Sequence, residues 1–425
     1  MRKTETSLLR PLLELVVLTL ISWFAFCFCG SGRILDERQP FCHYKVIPDK
    51  NGQFITVHTD LKLQGRVLYL KDFGQMESIH WFVGDREISV KSKRTGDIVS
   101  FSDLPAKGDV KVIYRLRCVT ESRPGYRKRL MGFSNFVLAR EGLFLGIKGL
   151  ASEFVDVSWK LPSGWTLVLG SEGLQRFVDT QKTLWVAGKA AQLTEEKVED
   201  KFFRVGIIEG VYDVDLTEAI TTLKSVFHDA WNDCGQLAAD NFGIAVVPSK
   251  SIGGGTSLGF TIISENNWIT IVHEMLHWWT NYRSPAWFRE GVHTYMAAKI
   301  LLRSGLIDQL QFNLFIKRCL QEHQRVVERE GKLYTLAESS ANYDNRKGGG
   351  DMYGLMPVFA SKLDREIHSY NPEASLDQVF AAVCQKRHKK LSVQDLIKEM
   401  TGYDPEPLFR KYFYSKVEDL SVLLK

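Results

Sequence analysis

Cysteine is scarce in this 425-residue chain: there are seven, and none forms a Cys-x-x-Cys pair, so no structural zinc cluster is encoded. A charge excess of one sign is also missing. The formal net charge of +5 is small for this length and argues against a nucleic-acid role. Runs such as Arg387-His388-Lys389-Lys390 and Arg123 to Arg129 read as solvated faces. Gly348-Gly349-Gly350 is not followed by Lys-Ser/Thr, so it reads as a flexible connection and not as a phosphate cradle. No internal repeat is evident. Long apolar runs are confined to one place, Leu15 to Cys29, shorter than the ~20 residues of a typical spanning helix.

That run follows Arg2, Lys3 and Arg10, the layout of a basic leader and apolar stretch in a secretory signal. Residues 1–32 are therefore expected to be a signal peptide or signal anchor, with export of the protein and, if the segment is retained, membrane association through it. Cys27 and Cys29 lie within it; Cys42 and Cys118 both fall in strand-rich sequence, where they could bridge in an oxidising compartment.

What remains is ordinary for a protein with a sizeable core, at 44% apolar and 25% charged residues. Period-two apolar runs at Phe54 to Leu63, Val110 to Cys118, Phe154 to Trp159 and Trp165 to Leu169 predict a β-sandwich-like domain over 40–215. The texture changes at Leu216. Leu216 to Cys234 has helical spacing, strand signals recur at Phe242 to Val247 and Leu258 to Ile263, and the sequence from Ile269 onward is mostly helical. The expected fold class is α+β and multidomain, with a β-rich N-terminal domain followed by a mostly helical domain over 216–425.

The chemistry concentrates in His273-Glu274-Met275-Leu276-His277 and Trp287-Phe288-Arg289-Glu290-Gly291. Residues four apart on a helix share a face, so both imidazoles can reach one metal ion with Glu274 beside them. Zinc takes imidazole and carboxylate ligands, and a catalytic site keeps one position open. The apolar stretch Trp268-Ile269-Thr270-Ile271-Val272 places the histidines on a largely buried helix, where unpaired polar groups are costly. Ser284-Pro285 reads as an N-cap with proline at the first helical position, opening a helix over 285–303. Glu290 then faces inward among Trp287, Val292, Tyr295 and Met296, an apolar setting that metal ligation explains. Zn2+ on His273, His277 and Glu290, one per chain, is the expected centre. The metzincin extension is absent because Thr280 and Arg283 stand where glycine and histidine are needed, and the inverted HxxEH order is absent too. Of the aromatics nearby, most of Trp268, Trp278, Trp279, Trp287 and Phe288 read as packing between helices. His293 reads as structural, with an extra ligand or supporting role as the alternative.

These motifs, with the tryptophans after the second histidine, resemble the glycyl-aminopeptidase-like metallopeptidases, relatives of the aminopeptidase N family and of the thermolysin-like clan. The resemblance continues through Tyr334-Thr335-Leu336-Ala337-Glu338-Ser339-Ser340, Met352-Tyr353-Gly354-Leu355-Met356 and Met400-Thr401-Gly402-Tyr403-Asp404, covering at least 250–425. It implies a thermolysin-like catalytic domain, a peptide or protein substrate, and a role for Tyr353 as donor to the oxyanion of the tetrahedral intermediate. Glu274 would be the general base that takes a proton from water and delivers it to the leaving amine. Three departures stand out. The family's Gly-x-x-Glu strand, whose carboxylate holds a substrate's amino terminus, corresponds to Gly253-Gly254-Gly255-Thr256-Ser257, which has no carboxylate. Gly254, Gly255 and Thr256 would then bind substrate by strand addition, with aminopeptidase and endopeptidase action both open. The lysine-glycine after the family's tyrosine is missing, and the gap between His277 and Glu290 is shorter than in aminopeptidase N relatives. A catalytically silent peptide-binding protein on the same fold is the alternative.

Overall fold

The computed structural model describes residues 40–64, 68–71, 75–96, 98–119, 130–139, 143–147, 153–176, 183–198, 201–211, 216–235, 241–248, 254–257, 260–263, 268–280, 284–345, 351–385, 392–417 and 420–424. The expectations for residues 1–32, for Arg123 to Arg129, for Gly348-Gly349-Gly350 and for Arg387 to Lys390 lie outside them. Among the described residues no helix is long and apolar enough to cross a membrane.

The first half of the chain alternates apolar and polar residues over short segments, and it folds into sheets. Seven strands pair in the order Gly173–Arg176, Phe154–Trp159, Cys42–Pro48, Phe54–Gln64, Lys107–Arg117, Met76–Val83 and Arg86–Ile88. Along Cys42–Pro48 the alternation becomes a buried face of Cys42, Tyr44, Val46 and Pro48. That face packs in one core with Leu68, Leu70, Val99 and Phe101 of a second sheet and with Trp185 and Ala187 of a third. Tyr44 and Tyr114 bury their rings there and donate their hydroxyls to the carbonyls of Leu145 and Leu143, which removes the cost of burying a phenol.

The fourth sheet positions the site. Its order is Ala190–Val198, Lys201–Ile208, Asn241–Val246, Phe260–Ile263 and Gly254–Ser257. Lys201–Ile208 and Asn241–Val246 run parallel, so a crossover must join them, and helix α1 (Leu216–Cys234) supplies it. One sheet is thus built from strands on both sides of residue 216, and the division expected at 215/216 falls inside a single crossover unit. Phe203 and Phe242 meet Phe227 of α1 at ring separations of 5.8 and 5.7 Å. A smaller core, with Phe136, Leu138, Val168, Val186, Ile208 and Ala245, joins this sheet to the sheet carrying Trp185–Gly188.

The helices follow: α2 (Trp268–Leu276), α3 (His293–Arg303), α4 (Gln309–Glu330), α5 (Leu336–Asp344), α6 (Leu355–Tyr370), α7 (Leu376–Gln385) and α8 (Val393–Thr401). They share one core with the inner face of the fourth sheet. The edge strand Gly254–Ser257 pairs antiparallel with Phe260–Ile263 and lies beside α2. The β-rich to helical order agrees with the expected fold class.

The bridge between Cys42 and Cys118 is corrected. All five described cysteines are buried, and Cys42 and Cys118 are free thiols. Cys42 lies opposite Leu61, which lies opposite Val110, and Cys118 stands eight residues further along that strand direction. At ~3.3 Å per residue the two are about 26 Å apart along the sheet, far beyond disulfide reach. Site-resolved alkylation of the native protein should therefore leave Cys42, Cys118, Cys234, Cys319 and Cys384 unmodified until denaturant is added. A Cys42–Cys118 crosslinked peptide in a non-reducing digest would contradict this register.

Candidate metal centre

Helix α2 is apolar over its first turns, with Ile271, Val272, Met275 and Leu276 buried, and it carries His273 into the core while Glu274 stays half-buried at the cavity. His277 stands in the turn just past its end. That turn is tied down by the two tryptophans that follow. Trp278 Nε1 donates to Thr261 Oγ1 at 3.1 Å, and Trp279 Nε1 donates to the Gly235 carbonyl at 2.8 Å. Trp279, Trp287 and Phe288 are buried in the core, as expected, while Trp268 is half-buried and lines a cavity.

Glu290 is presented differently from the sequence expectation of one α-helix over 285–303. Residues Trp287–Val292 are π-helical, and the α-helix proper begins at His293. Such insertions recur at functional sites because the extra residue per turn re-aims the side chains around it. Capping also differs. The Trp287 N–H donates to Ser340 Oγ at 3.1 Å and the Ala286 N–H to Asp344 Oδ2 at 3.2 Å, so α5 satisfies the helix start in place of Ser284. The Ser284 carbonyl instead accepts from Arg289 Nη1 at 2.9 Å. Gly291 is required where it stands: a Cβ there would lie 2.2 Å from Cβ of Met356 on α6. The same close approach brings in Tyr353, just before α6. Asp351 accepts from the N–H groups of Gly354 (2.7 Å) and Leu355 (3.0 Å) and contacts His323 at 3.1 Å, fixing the start of α6.

These elements bring His273, His277 and Glu290 together. The two Nε2 atoms are 3.2 Å apart, and Glu290 Oε2 lies 3.5 Å from His273 Nε2 and 3.8 Å from His277 Nε2. Ligand atoms around a tetrahedral zinc with bonds of about 2.0–2.2 Å are spaced about 3.3–3.6 Å, so the triangle fits one ion. Glu290 Oε1 is turned away toward Arg289 Nε at 3.3 Å, leaving Oε2 to face the histidines. Tyr353 donates its hydroxyl to Oε2 at 3.0 Å and sits 3.2 Å from the Tyr343 hydroxyl. Glu274 and Tyr353 both line a cavity of about 1180 Å³ that opens beside His273.

Burial alone pushes the Glu290 carboxyl up, but the His273 and His277 rings and the Tyr353 hydroxyl outweigh it and bring it down to about 2. Burial, with His273 close by, lowers His277 to about 3. Nearly half of the Tyr353 surface is open (48%), yet crowding at its hydroxyl and the Glu290 charge push its pKa up, so it stays a proton donor. His293 is fully buried and held neutral by that burial, and neither ring nitrogen has a hydrogen-bond partner among the described residues. Its ring packs 4.6 Å from that of His277, outside the ligand triangle.

One site residue had no signal in the motifs. Thr294 Oγ1 donates to the Glu290 carbonyl at 2.7 Å and receives His273 Nδ1–H at 3.0 Å. That places the proton on Nδ1 and leaves Nε2 free to bind metal, the usual support for a ligating histidine. Its place one turn after Glu290 on the same helix was the only cue. Gly254, Gly255 and Thr256 do lie on the edge strand beside α2.

No family model and no curated relative matches this chain. Solved structures do. An aminopeptidase N family protein from Idiomarina loihiensis aligns over 90% of this chain and 78% of its own, with TM-score 0.73 and 13% identity. A mutant M1 zinc metallopeptidase from Deinococcus radiodurans bound to a Tyr-Ser-Ala substrate aligns over 89% and 94%, with TM-score 0.58 and 14% identity. Yeast LTA4 hydrolase in complex with bestatin aligns over 90% and 68%, with TM-score 0.54 and 12% identity. The chain has the aminopeptidase N-like metallopeptidase fold.

Two outcomes follow from this geometry. Replacing Thr294 by Val should weaken zinc affinity about 10–100-fold in a chelator competition while leaving the fold intact; unchanged affinity would remove Thr294 from the centre. The metal-free protein should lose stability as pH falls from 6.5 toward 3. His277 has a depressed folded pKa, so the unfolded state takes up its proton first. Glu290 acts in the same direction between 4.5 and about 2. Thermal melts of apoprotein across this range, with His277→Gln as control, measure the effect.

Proposed function

We propose that this aminopeptidase N-like fold serves a zinc-dependent metallopeptidase that hydrolyses peptide bonds. The observation that carries the reading is the convergence of His273 Nε2, His277 Nε2 and Glu290 Oε2 at 3.2–3.8 Å beside a large cavity that His273, Glu274 and Tyr353 line. Those three atoms would hold a zinc ion, which would supply a Lewis acid to the scissile carbonyl and to a water. Glu274, adjacent to His273 and lining the cavity, takes the water proton and returns it to the leaving amine. Tyr353 is kept protonated, and its hydroxyl is already within the ligand cluster, so it donates to the developing oxyanion. Arg289, paired with Asp344 at 3.0 Å, anchors the outer oxygen of Glu290.

Substrate enters as an extended peptide along Gly254, Gly255 and Thr256, because among the described residues that strand is the edge of the sheet beside α2. The absence of a carboxylate from Gly254–Ser257 favours cleavage inside a chain over removal of amino-terminal residues. Export through the N-terminal basic and apolar segment belongs to this proposal, and fractionation of cells expressing the full chain tests it.

Glu274→Gln should retain one zinc per chain and lose at least 10³-fold in peptide cleavage. Tyr353→Phe should retain zinc and lose about 10²–10³-fold in kcat, the scale of an oxyanion donor. Mass spectrometry of a digested peptide library locates the cuts. Zinc and peptide binding without cleavage by the wild-type protein would instead establish a peptide-binding protein on this fold.

A further inference from the structure

The cavity beside the metal centre has two unlike walls. Trp268, Ile269 and Thr270 of α2 form one and carry no charge. The other is a single face of α4, where the lining residues recur every three or four positions from Gln311 to Arg325. Leu314 and Phe315 give the first part of that face an apolar character, and Arg318, Glu322 and Arg325 charge the rest. Glu322 and Arg325 neutralise each other, at 3.1 Å between Oε2 and Nη1. Arg318 is exposed to the cavity and makes no hydrogen bond or ion pair among the described residues.

Arg318 also stands at the depth of the reacting groups. The carbonyl of Cys319, the next residue, approaches Gly354 so closely that a Cβ there would lie 2.8 Å from it. Gly354 directly follows Tyr353, whose hydroxyl is on Glu290. Of the acids lining the cavity, Glu322 is already paired with Arg325, and Glu274 is committed to proton transfer. The neighbouring edge strand offers no carboxylate to a free amino group. A substrate group lying against α4 at this level therefore meets one uncompensated guanidinium, a planar donor suited to carboxylate.

We infer that Arg318 is a specificity-determining residue that selects peptides carrying a carboxylate close to the scissile bond. This rests on the peptidase reading of the site and deepens it. The carboxylate comes from an Asp or Glu side chain or from a free C-terminus, and the two are separable by experiment.

The test is equilibrium binding of fluorescein-labelled peptides to zinc-loaded Glu274→Gln protein at low salt, so that no turnover is needed. Four peptides of one sequence are compared: Glu with an amidated C-terminus, Gln amidated, Lys amidated, and Gln with a free C-terminus. The Glu peptide, the free-acid peptide or both should bind at least tenfold tighter than the Lys peptide, and the pattern identifies the source of the carboxylate. Adding Arg318→Ala should remove most of that preference, and Arg318→Glu should invert it, with thermal melts confirming that both variants are folded. Binding of all four with equal affinity, or a preference that survives Arg318→Glu, would overturn the inference while leaving the peptidase reading in place. Failure of every peptide to bind would sink both.

Discussion

A carboxylate buried between two imidazoles is the constraint around which this half of the molecule is arranged. Glu290 is only 6% exposed, and a lone ionised group there would be expensive to bury. It is compensated on both oxygens. Arg289 engages Oε1, while Tyr353 donates to Oε2 and leaves that oxygen facing His273 and His277. A metal ion held there would complete the compensation, because three donor atoms with matched spacing would exchange mutual crowding for ligation. The surrounding architecture is intelligible as what holds that carboxylate in place. The π-helical segment aims it, Gly291 lets α6 approach, and the side chains of α5 close the N–H groups that the helix start would otherwise leave open.

The same arrangement links ligands that are far apart in sequence. Thr294 joins the backbone of Glu290 to the imidazole of His273, so the two helical segments that carry them cannot shift independently without breaking a hydrogen bond. On the far side of α3, Asp364 receives Tyr295 at 2.6 Å and Lys299 at 2.8 Å and accepts the Leu376 N–H at 2.8 Å. Buried networks of this kind, fully satisfied, rigidify what they join. A metal centre needs that rigidity, since its ligands must stay within tenths of an ångström of their positions. One wall of the cavity beside it is by contrast a face of α4 with several exposed side chains, among them Leu314 and Arg318, which a substrate can meet.

Much of this was legible beforehand for a local reason. His273, Glu274 and His277 are spaced by helix geometry, and the buried run Trp268 to Val272 showed that the helix carrying them enters the core. Leu216–Cys234 matched its helical spacing residue for residue, and Phe154–Trp159 its alternation. Where the expectation was one α-helix from 285, the segment Trp287–Val292 is π-helical, and the N–H groups at its start are capped by Ser340 and Asp344, some fifty residues away and outside any local window of sequence. Cys42 and Cys118 shared a strand-rich region, but only the register of three strands reveals that they stand at opposite ends of the sheet.

The sequence by itself determined the ligand types, their order and the helical face on which two of them lie, because these depend on contacts between near neighbours along the chain. Tertiary structure decided the rest: that Glu290 turns one oxygen toward the histidines, that Thr294 orients His273, that Tyr353 reaches the cluster, and that Arg318 faces the cavity without a partner among the described residues. Each of those depends on which helices pack together and how closely, and that is set by the whole core and not by any window of sequence.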